Sequence, residues 1–587
     1  MILRGPPAPP PRHPTLVHAL AAAADHPSGA TFVDLAEREL RLTWAEVGAR
    51  AARAAASLAA LGVARGDRVA LVLRTEPAFL DAFFGCWLAG AVPVPLYPPV
   101  RLGRLDEYAA ATARMLAVSG ARLVVSRGGV RRLLGAALAR ARPALGCADA
   151  DALLAAPPVP AAAPSPDDVG LVQFSSGSTV DPRPVALTHA ALAAQADALV
   201  AATRAGPEDV LVSWLPLYHD MGLVGALLGA MSYPGPLVLL PPEHFLARPA
   251  LWLRAVARHR GTISAAPSFA YAYAADRVKD AELDGVSLRS WRLALDGAEP
   301  VSPGAMRRFA ARFERAGFDA RALVPVYGLA EATLAVTFRP PGAPLAGRRV
   351  DAARLARDGA VVPGDREVVP VGTPVPGVEV AVRDREGRLT GPGRLGRIFV
   401  RGPSLMKAYL GDPAATQRAL EGGWLDTGDL GFVADGELHV HGRSKDVVVV
   451  RGANHAPDEF EAALEGVPGI RAGCAIAAGF VPEGGEGEAL LLLLERARRV
   501  RRSDAEIEEA ARGAVLARTG IAPGLVRVLA PGTLPRTSSG KLRRGEAVRR
   551  FLAGTLAPPR RGVALRLALE VARARIALAL DRTGRAS

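Results

Sequence analysis

The sequence predicts an α/β chain with a largely parallel sheet, then an antiparallel β segment and a small α+β unit. Three observations predict it. Up to about residue 300, short apolar runs alternate with amphipathic helical stretches, as in strand–helix–strand units. From about 370, strand follows strand: "VEVAVRD", "GRIFVRG", "LGFVADGELHVHGR". After "GRSKD", helices return between apolar runs. The boundaries read as 1–442 for a large domain, 443–553 for a small domain and 554–587 for a tail.

The elements follow in order. "LTWAEVGARAARAAASLAALGV" reads as a helix, "RVALVL" as a strand, "PAFLDAFFGCWLAGA" as a helix and "VPVPLYPP" as an extended exit. "RLVVS", "VLVSWLP", "PLVLLPP", "GTISAAP" and "WRLALDGAEP" continue the strand series. Residues 339–370 are Pro/Gly-rich and read as an insertion between core elements. In the small unit, "VVVVRG" and "ALLLLLE" read as strands, with helices at "PDEFEAALEG" and from about Asp504. The tail reads as a helix with Arg566, Glu570 and Arg573 on one face, suited to docking on the protein or to peripheral membrane contact.

Composition narrows the function. Half of the 587 residues are hydrophobic, enough for several packed domains. Cys86, Cys147 and Cys474 lie far apart with no metal or redox spacing, which points to a reducing, cytoplasmic setting. No signal pattern opens the chain, and no run reaches the roughly 18 apolar residues of a membrane span. The net charge is +14, and residues 443–587 carry an excess of nine basic groups. Without zinc-finger spacing or an aromatic RNA-binding signature, nucleic acid is not the expected partner. A solvated Arg-rich face and an acidic protein partner both fit. Of the 72 basic residues only Lys279, Lys407, Lys445 and Lys541 are lysine, so a lysine inside a motif marks a need for a compact ammonium.

"FSSGSTVDPRPVALTH" (174–189) breaks an apolar run with hydroxyls and glycine. Such a loop suits phosphate oxygens, although a Ser-rich surface turn reads the same way and the Walker ending is missing. Five further segments follow: "WLPLYHDMGLVG" (214–225), "LDGAEPVS" (295–302), "VPVYGLAEATLAVTF" (324–338), "GWLDTGDLGFVADGELHVHGRSKD" (423–446) and "LPRTSSGKLRR" (534–544). In this order they resemble the adenylate-forming ligase superfamily over about residues 15–550.

That resemblance implies ATP and Mg²⁺ as cofactors and an acyl-adenylate as product. It implies phosphate contacts from Ser175, Ser176, Gly177, Ser178, Thr179 and Arg183. Asp296, Gly297, Ala298 and Glu299, with Tyr327 and Gly328, would form the adenine pocket. Glu331 would hold Mg²⁺, and Asp429 and Arg443 the ribose. His219 would stand near the substrate carboxylate, where a structural histidine is an equal alternative. Lys541 would bridge the carboxylate and the α-phosphate, and Lys445 would mark the hinge of the small domain. Val180 and Pro184 replace usual glycines and are expected to stiffen the phosphate loop; Arg183 replaces the usual lysine.

Within the superfamily, "VVVVRGANHAPDEFE", "HFLARPALWLRAVARHRGTISAAPSFAYAYA" and the 339–370 insertion are similar to the fatty acyl-AMP ligases. These segments imply a fatty acid substrate and an acyl carrier protein as acceptor in trans. A fatty acyl-CoA synthetase is the alternative, and an inactive acyl- or nucleotide-binding relative a third reading. Arg397, where glutamate is usual, and Lys407-Ala408 before Tyr409 depart from the pattern without an evident reason.

Overall fold

The computed structural model describes residues 1–99, 105–175, 182–450, 453–482, 488–497, 500–537 and 541–558. The expected tail helix lies outside them.

Six strands lie parallel at the centre: Gly29–Val33, Leu237–Leu239, Leu211–Ser213, Ile263–Ala266, Leu293–Asp296 and Leu323–Gly328, in that spatial order. The order reverses at Leu211–Ser213, whose following strand lies on one side and the next on the other. Such a reversal opens a crevice at the carboxyl ends of the strands. His219 leaves the sheet just beyond this point.

Beyond Leu323–Gly328 the same sheet turns antiparallel, through Ala335–Phe338, Pro370–Pro374, Glu437–Arg443, Trp424–Ala434, Gly396–Arg401 and Glu379–Arg383. The antiparallel segment is thus continuous with the parallel one. The register shifts at Tyr327/Gly328, where the two halves meet. The N-terminal Ile2–Arg4 completes the antiparallel edge beside Glu379–Arg383. A three-residue strand in a Pro-rich lead has no alternation to announce it.

A second, four-stranded parallel sheet joins Val92–Pro95, Arg68–Val72, Leu123–Ser126 and Cys147–Asp149. Helix Trp44–Ala60 begins in a capping box of Thr43 and Glu46, which satisfies its first free N–H groups. Every residue of helix Pro77–Leu88 after its proline is buried, its apolar surface interrupted by Asp81, which pairs with Arg50 at 2.7 Å.

The C-terminal strands Ile470–Phe480, Ala489–Arg496 and Leu525–Leu529 form their own sheet. Leu490, Leu492 and Leu494 pack with Phe460, Ala511 and Val515, while Leu491 and Leu493 pack with Leu534 and Ala547. Burial on both faces explains why "ALLLLLE" shows no alternation. Within 339–370, strands Arg348–Val350 and Arg366–Val368 flank helix Ala352–Asp358. Val350, Leu355 and Val368 pack against Phe432 and Ala434. From there Arg366 reaches Asp458 at 3.1 Å and Glu459 at 3.3 Å in the C-terminal part.

Candidate active site

The site forms where the sheet changes direction. Asp429 and Arg443 face each other across two antiparallel strands, with Arg443 Nε 3.3 Å from Asp429 Oδ1. Tyr327 donates its hydroxyl to Asp429 Oδ2 at 2.7 Å. Burial pushes the Asp429 carboxyl up, against the pull of Arg443. Asp429 in turn holds Arg443 protonated more firmly.

Gly328 is dictated by close approach, since a Cβ there would lie 1.8 Å from the Leu334 carbonyl oxygen. Glu331 sits in the short turn that follows and accepts the Tyr409 hydroxyl at 2.9 Å. The Arg183 guanidinium lies 5.0 Å from the Tyr409 ring centroid. Thr333 holds a φ of +67° and anchors the turn by donating its hydroxyl to the Ser404 carbonyl at 2.6 Å.

Ser175 and Arg183 close the base of the expected phosphate loop. The Ser175 N–H donates to the Arg183 carbonyl at 2.9 Å, and the Ser175 hydroxyl accepts from the Arg183 N–H at 3.2 Å. Ser176, Gly177, Ser178, Thr179 and Val180 lie outside the described residues. Pro184 does not lie in the loop: it opens strand Pro184–Thr188, a position where its missing N–H costs little. Lys407 also gains an account, its ammonium donating to the Asp167 carbonyl at 3.1 Å.

Lys541 lines the same cavity as Tyr327, Glu331 and Arg443. Its backbone N–H donates to the Thr537 hydroxyl at 3.0 Å, and its carbonyl accepts from the Thr537 N–H at 2.7 Å, which ties off the loop that carries it. Burial pushes its ammonium down, against the attraction of Asp220 and Glu299. His219 Nδ1 lies 2.6 Å from Asp220 Oδ1, and His219 Nε2 is buried without a partner among the described residues. Burial pushes the Asp220 carboxyl up, but His219 and Lys541 outweigh it and hold it below its ordinary value. Lys445 lines the cavity too, its ammonium lowered by burial and by Arg443.

The four residues 296–299 divide. Ala298, at a φ of +70°, lines the cavity. Gly297 is forced by packing, because a Cβ would meet Val326 Cγ2 at 2.7 Å. Asp296 is fully buried: it accepts the Ser268 hydroxyl at 2.6 Å, and burial pushes its carboxyl well up. Glu299 accepts the Phe269 N–H at 2.7 Å.

Sequence reasoning missed the rest of the cavity, which encloses about 440 Å³. From His219 and Met221 it runs beneath the sheet between Leu211, Ile263 and Leu295 on one side and Gly225, Ala226, Gly229 and Ala230 on the other. Those small residues lie on a continuous helix whose first part, Met221–Leu228, has π geometry. At helical rise the wall from Met221 to Tyr233 is roughly 15–18 Å long. Its one sequence signal is the run of glycine and alanine in "MGLVGALLGAMS". The result is one cavity with a charged end and a channel lined mainly by apolar and small residues, with Thr203, Asp209 and Ser213 also on its wall.

The profile of the AMP-binding enzyme family matches residues 20–410. The chain belongs to that family. This AMP-binding enzyme is 36% identical over 563 residues to a putative acyl-CoA synthetase of Caulobacter vibrioides, covering 92% of this chain and 96% of that protein. It is 32% identical over 553 residues to the medium-chain-fatty-acid–[acyl-carrier-protein] ligase JamA of Moorena producens, covering 90% and 92%. Among solved structures, one from a study of fatty acyl-adenylate ligases from E. coli and L. pneumophila superposes with a TM-score of 0.87 at 34% identity, covering 92% of this chain and 98% of that one. The AMP-binding enzyme is therefore a ligase with the α/β architecture of those proteins. No helix among its described residues is long and apolar enough to cross a membrane.

Proposed function

We propose that the chain is a fatty acyl-AMP ligase. It activates a medium- or long-chain fatty acid with ATP, releases pyrophosphate, and passes the acyl group to the phosphopantetheine thiol of an acyl carrier protein supplied in trans. The observation that carries this reading is the single cavity that joins Lys541, Glu331 and Arg443 to a mainly apolar channel.

In the first step a carboxylate oxygen attacks the α-phosphorus, and the bond to pyrophosphate breaks. Lys541 holds the two anions together and neutralises the charge that builds between them. Asp429 accepts the ribose hydroxyls while Arg443 and Tyr327 fix its carboxylate. Arg183 and the 175–179 loop take the terminal phosphates. Glu331 suits Mg²⁺, because a carboxylate beside phosphate oxygens fits this hard cation. Mg²⁺ bound there supplies charge neutralisation on the phosphates. In the second step the carrier thiol attacks the acyl carbonyl and AMP leaves.

The insertion supports a carrier protein over CoA. Arg366 ties it to Asp458 and Glu459, restraining the part of the chain that must swing to admit a thiol. The acyl-CoA synthetase reading is favoured instead by the name of the Caulobacter relative. An inactive protein is disfavoured by Lys541 and Glu331 sharing one cavity. Mass spectrometry of products from a fatty-acid mixture, ATP and Mg²⁺, with no acceptor, CoA or holo-carrier protein, decides among the three. Acyl-AMP that ignores CoA and loads the carrier is expected; rapid acyl-CoA formation makes the enzyme a CoA ligase.

A further inference from the structure

At the nucleotide end of the cavity stands an ion pair that the chemistry above does not use. Arg397 grips Asp426 with two contacts, Nε to Oδ1 at 3.1 Å and Nη2 to Oδ2 at 2.9 Å, and both residues line the cavity. Their strands lose register here: Arg397 pairs with Leu430, but Phe399, two residues on, pairs with Asp426. Thr427, Gly428 and Asp429 therefore bulge out of the pairing with Gly396–Arg401, although Asp429 still pairs with Arg443 on its other side, and on the bulged side the side chains must hold what ladder hydrogen bonds do not.

Asp426 Oδ1 accepts the Gly428 N–H at 3.0 Å, and Gly428 has a φ of +73°. The Thr427 hydroxyl donates to the Ile398 carbonyl at 2.8 Å and accepts the Asp429 N–H at 3.1 Å. On the other flank, the Gly428 carbonyl accepts the Ser444 N–H at 3.0 Å and the Ser444 hydroxyl at 2.9 Å, one residue before Lys445. The turn that presents Asp429 is thus clamped from both sides, and Arg397 closes one of the clamps.

We infer that Arg397 is a positioning residue for nucleotide binding. Through Asp426 and the Gly428 N–H it sets the bulge that aims the Asp429 carboxylate at the ribose. This rests on the ribose role assigned to Asp429 above. The Arg397 side chain is 47% exposed, and so open an ion pair contributes little to global stability. Its effect is local, on the shape of three residues. It also accounts for arginine at this position: a glutamate there would face Asp426 with a like charge.

The test measures AMP affinity by calorimetry, and KM and kcat for ATP by pyrophosphate exchange, on the full chain and on Arg397→Ala, Arg397→Lys, Arg397→Glu and Asp426→Asn. Arg397→Ala is expected to weaken AMP binding and raise KM for ATP by about tenfold, with kcat at saturating ATP, KM for the fatty acid and the melting temperature little changed. Arg397→Lys keeps the charge but not the fork and falls between, while Arg397→Glu is the most severe. Asp426→Asn combined with Arg397→Ala costs less than the sum of the two, because both cut one path. An unchanged nucleotide KM in Arg397→Ala overturns the inference. So does a lowered melting temperature with both KM values raised alike, which is damage to the fold. A wild-type chain that binds no nucleotide overturns the ribose assignment itself.

Discussion

The two halves of the cavity are built on opposite principles. The nucleotide half is made of paired groups: Tyr327 and Arg443 on Asp429, Tyr409 on Glu331, Asp220 beside His219. The acyl half is made of what is missing, since Gly225, Ala226, Gly229 and Ala230 leave room beside the sheet. Recognition of charge needs polar atoms at fixed distances, so each partner is specific. Recognition of a hydrocarbon needs only volume and dryness.

Substitutions separate the halves. The largest effect is expected from Lys541→Ala, which lowers the adenylation rate by about 10²–10³. Fatty-acid-dependent pyrophosphate exchange reads this, and calorimetry should show the fatty acid still bound. Gly229→Leu acts on the other half alone. A Cβ there meets only the Val224 carbonyl oxygen at 3.6 Å, so the backbone accepts it and the longer side chain fills the channel. Chain-length preference should move to shorter acids, with kcat/KM for those no longer fitting down roughly tenfold or more per methylene, and KM for ATP unchanged.

Arg366→Glu breaks the tie between the insertion and the C-terminal part while leaving both halves of the cavity intact. Acyl-AMP formation is expected to persist, and the share of product appearing as acyl-CoA to rise severalfold. The smallest effect belongs to Asp296→Asn. Burial pushes its carboxyl well up, and among the described residues the one oxygen it hydrogen-bonds accepts from Ser268, a bond that an amide can keep. In the wild type the folded carboxyl has a raised pKa, so the folded state binds more protons than the unfolded one above pH 3.8. Stability therefore declines as pH rises from there through the folded pKa. The Asn variant should lose that decline in a melting-temperature series while keeping its activity.

The same contrast explains what the sequence discloses. Lys541, Glu331 and Arg443 stand out because each sits in a short local motif, and they line one cavity; for Lys541 the rarity of lysine adds to the signal. Asp296 sits in an equally good motif, yet it faces the core; spacing alone does not say which neighbour of Gly297 turns inward. Arg397 and Lys407 read as anomalies until their partners, Asp426 and the Asp167 carbonyl, came from distant segments. The channel was invisible because empty space depends on which strand faces which helix. The strand–helix alternation announced the parallel sheet, but nothing local announced that the antiparallel strands would extend that sheet at Tyr327.

The central claim is that the two halves serve one bound molecule. The affinity of non-reactive acyl-sulfamoyl adenosine analogues, measured by calorimetry across acyl chain lengths, tests it directly. If the cavity is continuous in use, affinity rises about fourfold with each methylene up to the channel's limit and then falls, and every fitting analogue binds far more tightly than AMP. Affinity that stays at the level of AMP for all chain lengths would contradict the account.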